Sequence, residues 1–285
     1  MITIITPTYN RAHTLPILYK SLVEQNSKNF EWLIIDDGSV DNTADIIRGF
    51  ISESNIKIRY FKKGNGGKHT ALNMGFKKTL TDWILIVDSD DFLKQCSIKY
   101  LIEEVSKLNN DYISISFLKA YPDGRTVGNN FDKSVNLKTY LDRINQNISG
   151  DKADLIRTDA LKGFVFPEFN GENFMAESPM FLWLSKKGKT KFINFDGYIC
   201  EYLDGGLSDN SINNRHKCVH STLYVYSNQY KNLTSKKLKI KAAVNWWRFK
   251  IFKRIDVVNN NRIPIIFFPL GLILYANDKI KKRVY

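Results

Sequence analysis

Four apolar, strand-length segments in the first 110 residues, each followed by a polar loop and a helix-length amphipathic stretch, leave few folds open to this 285-residue chain. The strands read at Ile2–Thr6, Trp32–Ile35, Ile56–Phe61 and Trp83–Val87, and the helices at Leu15–Gln25, Thr43–Ser52, Ala71–Leu80 and Ser97–Leu108. Thr14 before Leu15-Pro16, and Asp41 in DGSVDNT, mark two of the helix starts. Strands that alternate with helices build a mainly parallel sheet covered on both faces. The expected class is therefore α/β, with a Rossmann-like, mostly parallel central sheet flanked by helices.

In such sheets ligands gather at the carboxyl ends of the strands. The polar residues there are Thr6-Pro7-Thr8-Tyr9-Asn10-Arg11, Asp36-Asp37-Gly38-Ser39, Lys62 to Lys68 (KKGNGGK) and Asp88-Ser89-Asp90-Asp91. The last of these is the most demanding. In WILIVDSDDF an apolar run, Ile84–Val87, empties into three carboxylates that repel one another and lose hydration, so a positive partner is expected. Hard carboxylate oxygens suit Mn2+ or Mg2+, which take one or two carboxylates together with water and diphosphate oxygens. Asp88 and Asp90, two apart on an extended segment, can address one ligand together. The plain alternative is a solvated turn capping the helix that begins near Cys96.

The neighbouring loops weigh against that alternative. Asp36-Asp37 is a second acidic pair at a strand end, and KKGNGGKHTALNMG supplies a glycine loop with Lys68 and His69 opening a helix. Glycine lets backbone approach a ligand closely, and a helix start beside a lysine favours phosphate. Neither GxGxxG nor a Walker-type GxxxxGK[ST] is present. Taken together, the four loops describe a site for base, ribose, diphosphate and metal.

From 111 to 210 the alternation loosens, with strands expected at Tyr112–Leu118, Ala153–Arg157, Lys191–Phe195 and Tyr198–Tyr202 and a helix around Ser178–Lys187. The expected organisation is 1–110 as the first half of one domain, carrying the strand-end site, 111–210 as its second half, and 211–285 as a helical, basic, aromatic-rich extension.

PTYNR, IIDDGSVDNT, NGGKHTALNMG and VDSDD, in that order, resemble the family 2 nucleotide-sugar glycosyltransferases of GT-A fold, in particular members from bacterial surface-polysaccharide pathways. The resemblance is strong over roughly residues 1–110 and weaker to about Asn210, and it implies that 1–110 is the nucleotide-sugar-binding half of the domain and 111–210 its acceptor-binding half. It implies that Thr6, Pro7 and Tyr9 line a nucleobase pocket, with the Tyr9 ring free to stack, and that Asp37 accepts a hydrogen bond from the base, most often uracil. It puts Lys68 near the diphosphate or base, Asn73 in support of the loop, and Asp88 with Ser89 toward the ribose or diphosphate. Asp90 would be the principal metal ligand, with Asp88 as partner and Asp91 as the alternative. A strand-end turn at PTYN and an Asx-turn at DDGS are the plain readings of the same residues.

Inverting transfer needs a base for the acceptor hydroxyl. The resemblance implies an acid at the start of a helix well downstream, where FPEFNGENFMAESPMFLWL offers Glu168, Glu172 and Glu177. Glu177 is the choice and Glu172 the alternative; relatives often read Glu-Asp where this chain has Glu177-Ser178. Further on, Glu201–Asn210 (EYLDGGLSDN), with Gly205 and Gly206, reads as a mobile lid or a plain hairpin turn. His216 and His220, spaced i,i+4, read as ordinary histidines because no third ligand accompanies them. The processive-synthase motif QxxRW is absent.

Charge separates the two ends of the chain. The formal net charge is +13, and Lys236–Tyr285 carries 13 Lys and Arg against 2 Asp and Glu, which leaves the rest nearly neutral. A nucleic-acid binder would spread basic groups over its folded face, so no nucleic acid is expected as a partner. KKLKIKAAVNWWRFKIFKR, Lys236 to Arg254, instead suits an anionic membrane surface, with residues 236–285 as the contact. IPIIFFPLGLILYA, Ile263–Ala276, is shorter than the roughly 20 residues of a spanning helix; it would dip into the interface or close the core of neighbouring helices. Three cysteines, Cys96, Cys200 and Cys218, without metal-type spacing, suit reduced thiols, and the MITIIT start lacks the features of an export signal.

The reading is an inverting, metal-dependent transferase moving a sugar from a nucleotide donor, UDP-linked, to a glycan or lipid-linked acceptor. It would act in the cytoplasm, peripherally bound to the inner face of the membrane. The rivals are a nucleotidyltransferase, whose glycine-rich loop would follow the first strand where this chain has PTYNR, and a non-catalytic membrane- or nucleic-acid-binding protein on a degenerate transferase scaffold.

Overall fold

The computed structural model describes residues 1–132, 136–200, 211–251 and 263–281. The chain forms two compact units, one made of Met1–Phe164 with Leu184–Glu201 and the other of Val165–Trp183 with Tyr202–Tyr285. Val165–Trp183, read from sequence as part of an acceptor-binding half, thus packs with the C-terminal helices.

The first unit begins with the expected alternation: β1 (Ile2–Thr8), α1 (Leu15–Val23), β2 (Phe30–Asp36), α2 (Thr43–Glu53), β3 (Ile58–Lys62), α3 (Lys68–Lys78) and β4 (Trp83–Ile86). It continues through β5 (Phe92–Leu93), α4 (Ser97–Ser106), β6 (Tyr112–Ala120), α5 (Tyr140–Asn145), β7 (Lys152–Arg157) and β8 (Lys189–Ile199). Among the described residues these strands make one sheet in the order β3-β2-β1-β4-β7-β6-β8-β5. The first four are mutually parallel, so the polar turns after β1, β2, β3 and β4 all leave the same edge. β7 then runs antiparallel to both β4 and β6.

The two late strands expected at Lys191–Phe195 and Tyr198–Tyr202 join into the single strand β8. Opposite it, β6 steps from Phe117 to Lys119 while β8 steps from Ile193 to Tyr198, so β8 bulges. A bulge redirects the side chains that follow it, and here it carries Tyr198 into the fully buried interior. Gly197 in the same bulge has no room for a side chain: a Cβ there would lie 2.6 Å from Ser97 Oγ.

The core of this unit lies between sheet and helices, where Ile4, Trp32, Ile34, Leu85, Ile115 and Leu155 are fully buried. Each such side chain contributes about 1.5–3 kcal/mol by leaving water. Tyr19 stacks on Phe50 at 4.0 Å between centroids, and Trp32 lies 6.2 Å from both. Glu31 is also fully buried, yet Thr3 (3.1 Å), Arg59 (3.0 Å) and Lys57 (2.8 Å) meet its carboxylate. Burial raises its pKa, but those partners outweigh it and hold the group below the usual carboxylate range.

The second unit is helical: α6 (Ser178–Leu184), α7 (Ser211–Lys217), α8 (Val219–Asn232), α9 (Lys236–Lys250) and α10 (Phe268–Ile280), the last preceded by a 3-10 turn at Ile265–Phe267. Its core joins Val219, Leu223, Ala243, Trp246, Phe249 and Ile263. Two aromatics of α9 that the sequence offered to a membrane, Trp246 and Phe249, are therefore interior. Asp278 is fully buried and accepts hydrogen bonds from Arg248 Nε (2.6 Å) and pairs with His216 Nε2 (2.9 Å). His216 and His220 sit on different helices, separated by the break at Cys218, and face different carboxylates. No described helix is long and apolar enough to cross a membrane. Glu201–Asn210, with Gly205 and Gly206, lies outside the described residues.

Candidate active site

The turns after β1 and β2 are stitched together by short polar side chains. Asn10, at φ 53°, donates its N–H to Ser39 Oγ (2.9 Å) and accepts the Val40 N–H on Oδ1 (2.9 Å). Asp36 closes the second turn: its carboxylate accepts from Ser39 N (2.7 Å) and from the Tyr60 hydroxyl (2.7 Å). Thr6 is fully buried, and its hydroxyl accepts from the Trp32 indole (2.9 Å), so this side chain faces the core. Pro7 is buried as well, whereas Tyr9 is 44% exposed at the mouth of the turn. The buried hydroxyl of Thr8, paired in register with Asp36, has no hydrogen-bond partner among the described residues.

Asp37 ties this turn to the glycine loop. Its carboxylate accepts from Gly66 N (3.0 Å), Gly67 N (2.6 Å) and Lys63 Nζ (2.7 Å). The closeness requires glycine at position 38, which has φ 88° and whose Cβ would stand 2.9 Å from Asn65 N. Lys63 also donates to Thr70 Oγ1 (2.7 Å), which anchors the loop to the first turn of α3. Lys68 opens that helix, and Asn73, one turn later, is buried within it.

Lys68 reaches the third acidic turn, where Nζ lies 2.6 Å from Asp88 Oδ1. Arg11, from the turn after β1, stands 3.8 Å from Asp90 Oδ2. Asp91 turns the other way. It is 6% exposed, accepts the Tyr198 hydroxyl at 2.7 Å and has Lys119 Nζ at 3.7 Å. The same Tyr198 oxygen accepts the Asp88 N–H at 3.0 Å, so one phenol from the β8 bulge fixes both ends of the turn. Lys119 lies 4.3 Å from the Tyr198 ring centre and pairs with Asp151 at 2.8 Å.

These surroundings split the three acids. Burial pushes Asp88 up, but Lys68, Lys119 and Arg11 outweigh it and hold the carboxyl below its usual range. Burial, then the Asp88 charge, raises Asp90, and the same two causes push Asp91 up to about 7. Burial lowers Lys119, yet Asp151, Asp88 and Asp91 overcome it and keep the ammonium charged. The arrangement is a partly exposed pair of carboxylates, Asp88 and Asp90, backed by the buried Asp91, Tyr198 and Lys119, with Lys119 in turn paired to the exposed Asp151. Ser89, between them, is buried.

Among the described residues no three metal-ligating side chains converge. A diphosphate-bound Mg2+ or Mn2+ does not need them, because one or two carboxylates complete its shell with water and phosphate oxygens. Asp88 and Asp90 supply that number, and a cation beside them would offset the burial and the Asp88 charge that raise Asp90. The residues present fit such an ion, which Asp88 and Asp90 would hold, with Asp91 engaged inward.

The two candidate bases belong to the second unit and have different surroundings. Glu172 accepts the N–H groups of His220 and Ser221 (both 2.8 Å) and pairs with His220 Nδ1 (2.9 Å). Those N–H groups are in the first turn of α8, so this carboxylate caps a helix. Glu177 immediately precedes α6, and its carbonyl accepts from Met180 N at 2.9 Å.

Sequence reading passed over Arg11 as a site residue and missed Tyr198, Lys119 and Asp151. Arg11 stood in the quoted PTYNR turn. The other three come from β6, the residue just before β7 and the end of β8 after its bulge, with no short-range motif around them.

The sequence model described as "Glycosyl transferase family 2" matches residues 3–162. GlyG, a glycosyltransferase of Streptococcus pneumoniae, is 32% identical over 113 residues, which cover 40% of this chain and 38% of GlyG. The uncharacterized glycosyltransferase EpsJ of Bacillus subtilis is 29% identical over 126 residues, covering 44% of this chain and 36% of EpsJ. The matched stretch thus spans less than half the length of these curated relatives. Among solved structures, the 1–349 fragment of S. aureus TarS in complex with UDP-GlcNAc superposes with a TM-score of 0.63 at 17% identity, covering 99% of this chain and 88% of that one. A mannosyltransferase from Pyrobaculum calidifontis, in complex with GDP-Man and Mn2+, gives 0.61 at 14% identity, covering 98% and 75%. At such identities the likeness is one of fold, the GT-A type α/β architecture with a helical C-terminal extension.

Proposed function

Because the chain belongs to glycosyl transferase family 2, a family of glycosyltransferase enzymes, we propose that it transfers a sugar from a UDP-linked donor to a glycan or lipid-linked acceptor with inversion at the anomeric carbon. The observation that carries this reading is the meeting of Lys68 and Arg11 with Asp88 and Asp90 at the carboxyl edge of parallel strands. Such an edge, with both charge signs and a glycine loop, suits a nucleoside diphosphate and its cation.

The parts divide the work. Tyr9 is exposed for stacking on the base, with Pro7 beside it. Asp37, at the root of the glycine loop, accepts a hydrogen bond from the base edge while holding Gly66 and Gly67. Asp88 and Asp90 hold Mn2+ or Mg2+, which supplies electrostatic relief for the charge growing on the departing diphosphate. Lys68 and Arg11 add positive charge beside the same carboxylates. Glu177 takes the acceptor hydroxyl proton as that oxygen bonds to the anomeric carbon and the bond to UDP breaks. Glu172, committed to the start of α8, is left out of the chemistry. Unpaired Cys96, Cys200 and Cys218 accord with a reducing, cytoplasmic setting.

A thermal-shift panel of nucleotide sugars with and without Mn2+, followed by product analysis, tests the proposal. A preferred donor stabilises the protein by mass action, and more so with the cation. Release of UDP supports sugar transfer, whereas release of pyrophosphate would point to nucleotidyl transfer and overturn it.

A further inference from the structure

α10 is apolar on both sides. Gly271, Tyr275 and Asp278 turn inward, while Pro269, Leu270, Leu272, Ile273, Ala276 and Ile280 are exposed. The preceding 3-10 turn adds Ile265 and Ile266, 75% and 77% exposed. Surface helices normally carry a polar outer face, and exposed apolar residues are normally scattered singly. Elsewhere among the described residues they are scattered; here six large ones, Ile265, Ile266, Leu270, Leu272, Ile273 and Ile280, crowd into one short segment.

The inner face explains why the outer one stays uncovered. Gly271 seats α10 directly on α9, where a Cβ would come within 2.6 Å of Trp247 Cβ. Trp247 donates its indole N–H to the Pro264 carbonyl (3.0 Å) and meets the Phe268 ring edge-on at 5.5 Å. Asp278 locks the far end through Arg248 and His216. One side of α10 is thus fixed by packing, and the opposite side presents apolar surface to solvent.

Charge decides what would cover it. Asp278 is the sole carboxylate on α9 and α10 and is fully buried, so every exposed charge on these helices is positive. Lys236, Lys237 and Lys241 are exposed at the start of α9, and Lys279 and Lys281 at the end of α10. Two copies meeting through this face would bring like charges together. A sheet of anionic headgroups over hydrocarbon satisfies both features at once. With 13 residues, α10 is about 20 Å long, short of the roughly 30 Å hydrocarbon thickness, so it lies along the interface.

We propose that the exposed face of the Ile265–Phe267 turn and α10 is a docking surface for an anionic lipid bilayer, with Ile266 and Ile273 seated at the acyl boundary and the lysines on the headgroups. The inference stands on the second unit and does not depend on the transfer chemistry. It also relocates the contact: α9 offers lysines, and the apolar insertion belongs to α10.

The test is flotation of the full chain with vesicles of phosphatidylglycerol in phosphatidylcholine and with phosphatidylcholine alone. The wild type should float with the anionic vesicles, less at high salt, and bind neutral ones weakly. Ile266→Asp/Ile273→Asp should lower anionic binding by roughly tenfold or more. Because both side chains already face water, its circular dichroism and melting should match wild type; should it not fold, Lys279→Glu/Lys281→Glu reports the same loss through charge. Absence of anionic flotation, or flotation unchanged in a folded variant, would overturn the proposal. So would a dimer in light scattering that the Ile266→Asp/Ile273→Asp variant dissociates while vesicles remain unbound, which would assign the face to a second copy.

Discussion

Replacing Glu172 by Gln should weaken the protein while sparing turnover, and replacing Glu177 by Gln should abolish transfer while sparing donor binding. The Glu172 carboxylate accepts two backbone N–H groups at the start of α8, each at 2.8 Å. A side-chain cap is worth about 0.5–2 kcal/mol, and a negative charge at a helix start adds about 0.3–1 kcal/mol. Glutamine keeps one carbonyl acceptor but loses the charge and the second acceptor, so the expected loss is about 1–2 kcal/mol. Urea denaturation at neutral pH reads this as a lower midpoint at unchanged m-value. Glu177→Gln should keep donor affinity while transfer falls by orders of magnitude, the signature of a group needed in the transition state. The reasoning is refuted if Glu172→Gln is as stable as wild type, or if it abolishes turnover without losing stability. Near-normal turnover of Glu177→Gln would remove that residue as the base.

Two further expectations concern buried charge in the first unit. Lys119→Met leaves Asp151 and Asp91 without their buried partner and should cost about 3 kcal/mol, the low end for a broken buried pair because Asp151 can turn to water; thermal melting checks this. Burial raises the Asp154 carboxyl to about 6, against the lowering effect of Arg143, Ser116 and Tyr140. The folded state then binds a proton that the unfolded chain gives up near pH 4, so wild-type stability should fall as pH climbs from about 4 to about 6, by about 3 kcal/mol at most. Asp154→Asn should flatten that part of the stability curve and melt higher than wild type at pH 8; a slope unchanged by the substitution would count against it.

The alternating half of the molecule was legible because its strands and helices repeat a strong period and each strand ends in charged turns. Seven expected elements before Asp88, from β1 through β4, occur within a few residues of their expected positions. What the sequence concealed was of two kinds. Some elements are too short to carry a period: β5 has two residues, and α5 has six, held by the capping box of Thr139 and Asp142. Other features depend on residues far apart in the chain. Tyr198 meets Asp88 and Asp91 only because β8 bulges beside β6, and nothing local to VDSDD announces that. The same holds for Trp246 and Phe249. Their spacing with lysine suits a membrane helix, but α8 and α10 close over them, so that exposed apolar surface emerges on the next helix instead.

The sequence quoted Asp37 as a base-binding residue without any sign of its other partners. In the structure its carboxylate is surrounded by Lys63 and the Gly66 and Gly67 N–H groups. On the proposed reading a base reaching Asp37 would meet a carboxylate already committed to the loop, and donor binding would be coupled to loop order through it.

The account rests most heavily on Asp88 and Asp90 as the place where a cation joins the nucleotide diphosphate. Calorimetric titration of the preferred UDP-sugar, with and without Mn2+, into wild type and Asp90→Asn tests this directly. The account predicts cation-dependent binding by wild type and at least about tenfold weaker binding by a variant of unchanged melting temperature, a difference of about 1.4 kcal/mol. Equal, cation-independent affinity in both proteins would contradict it.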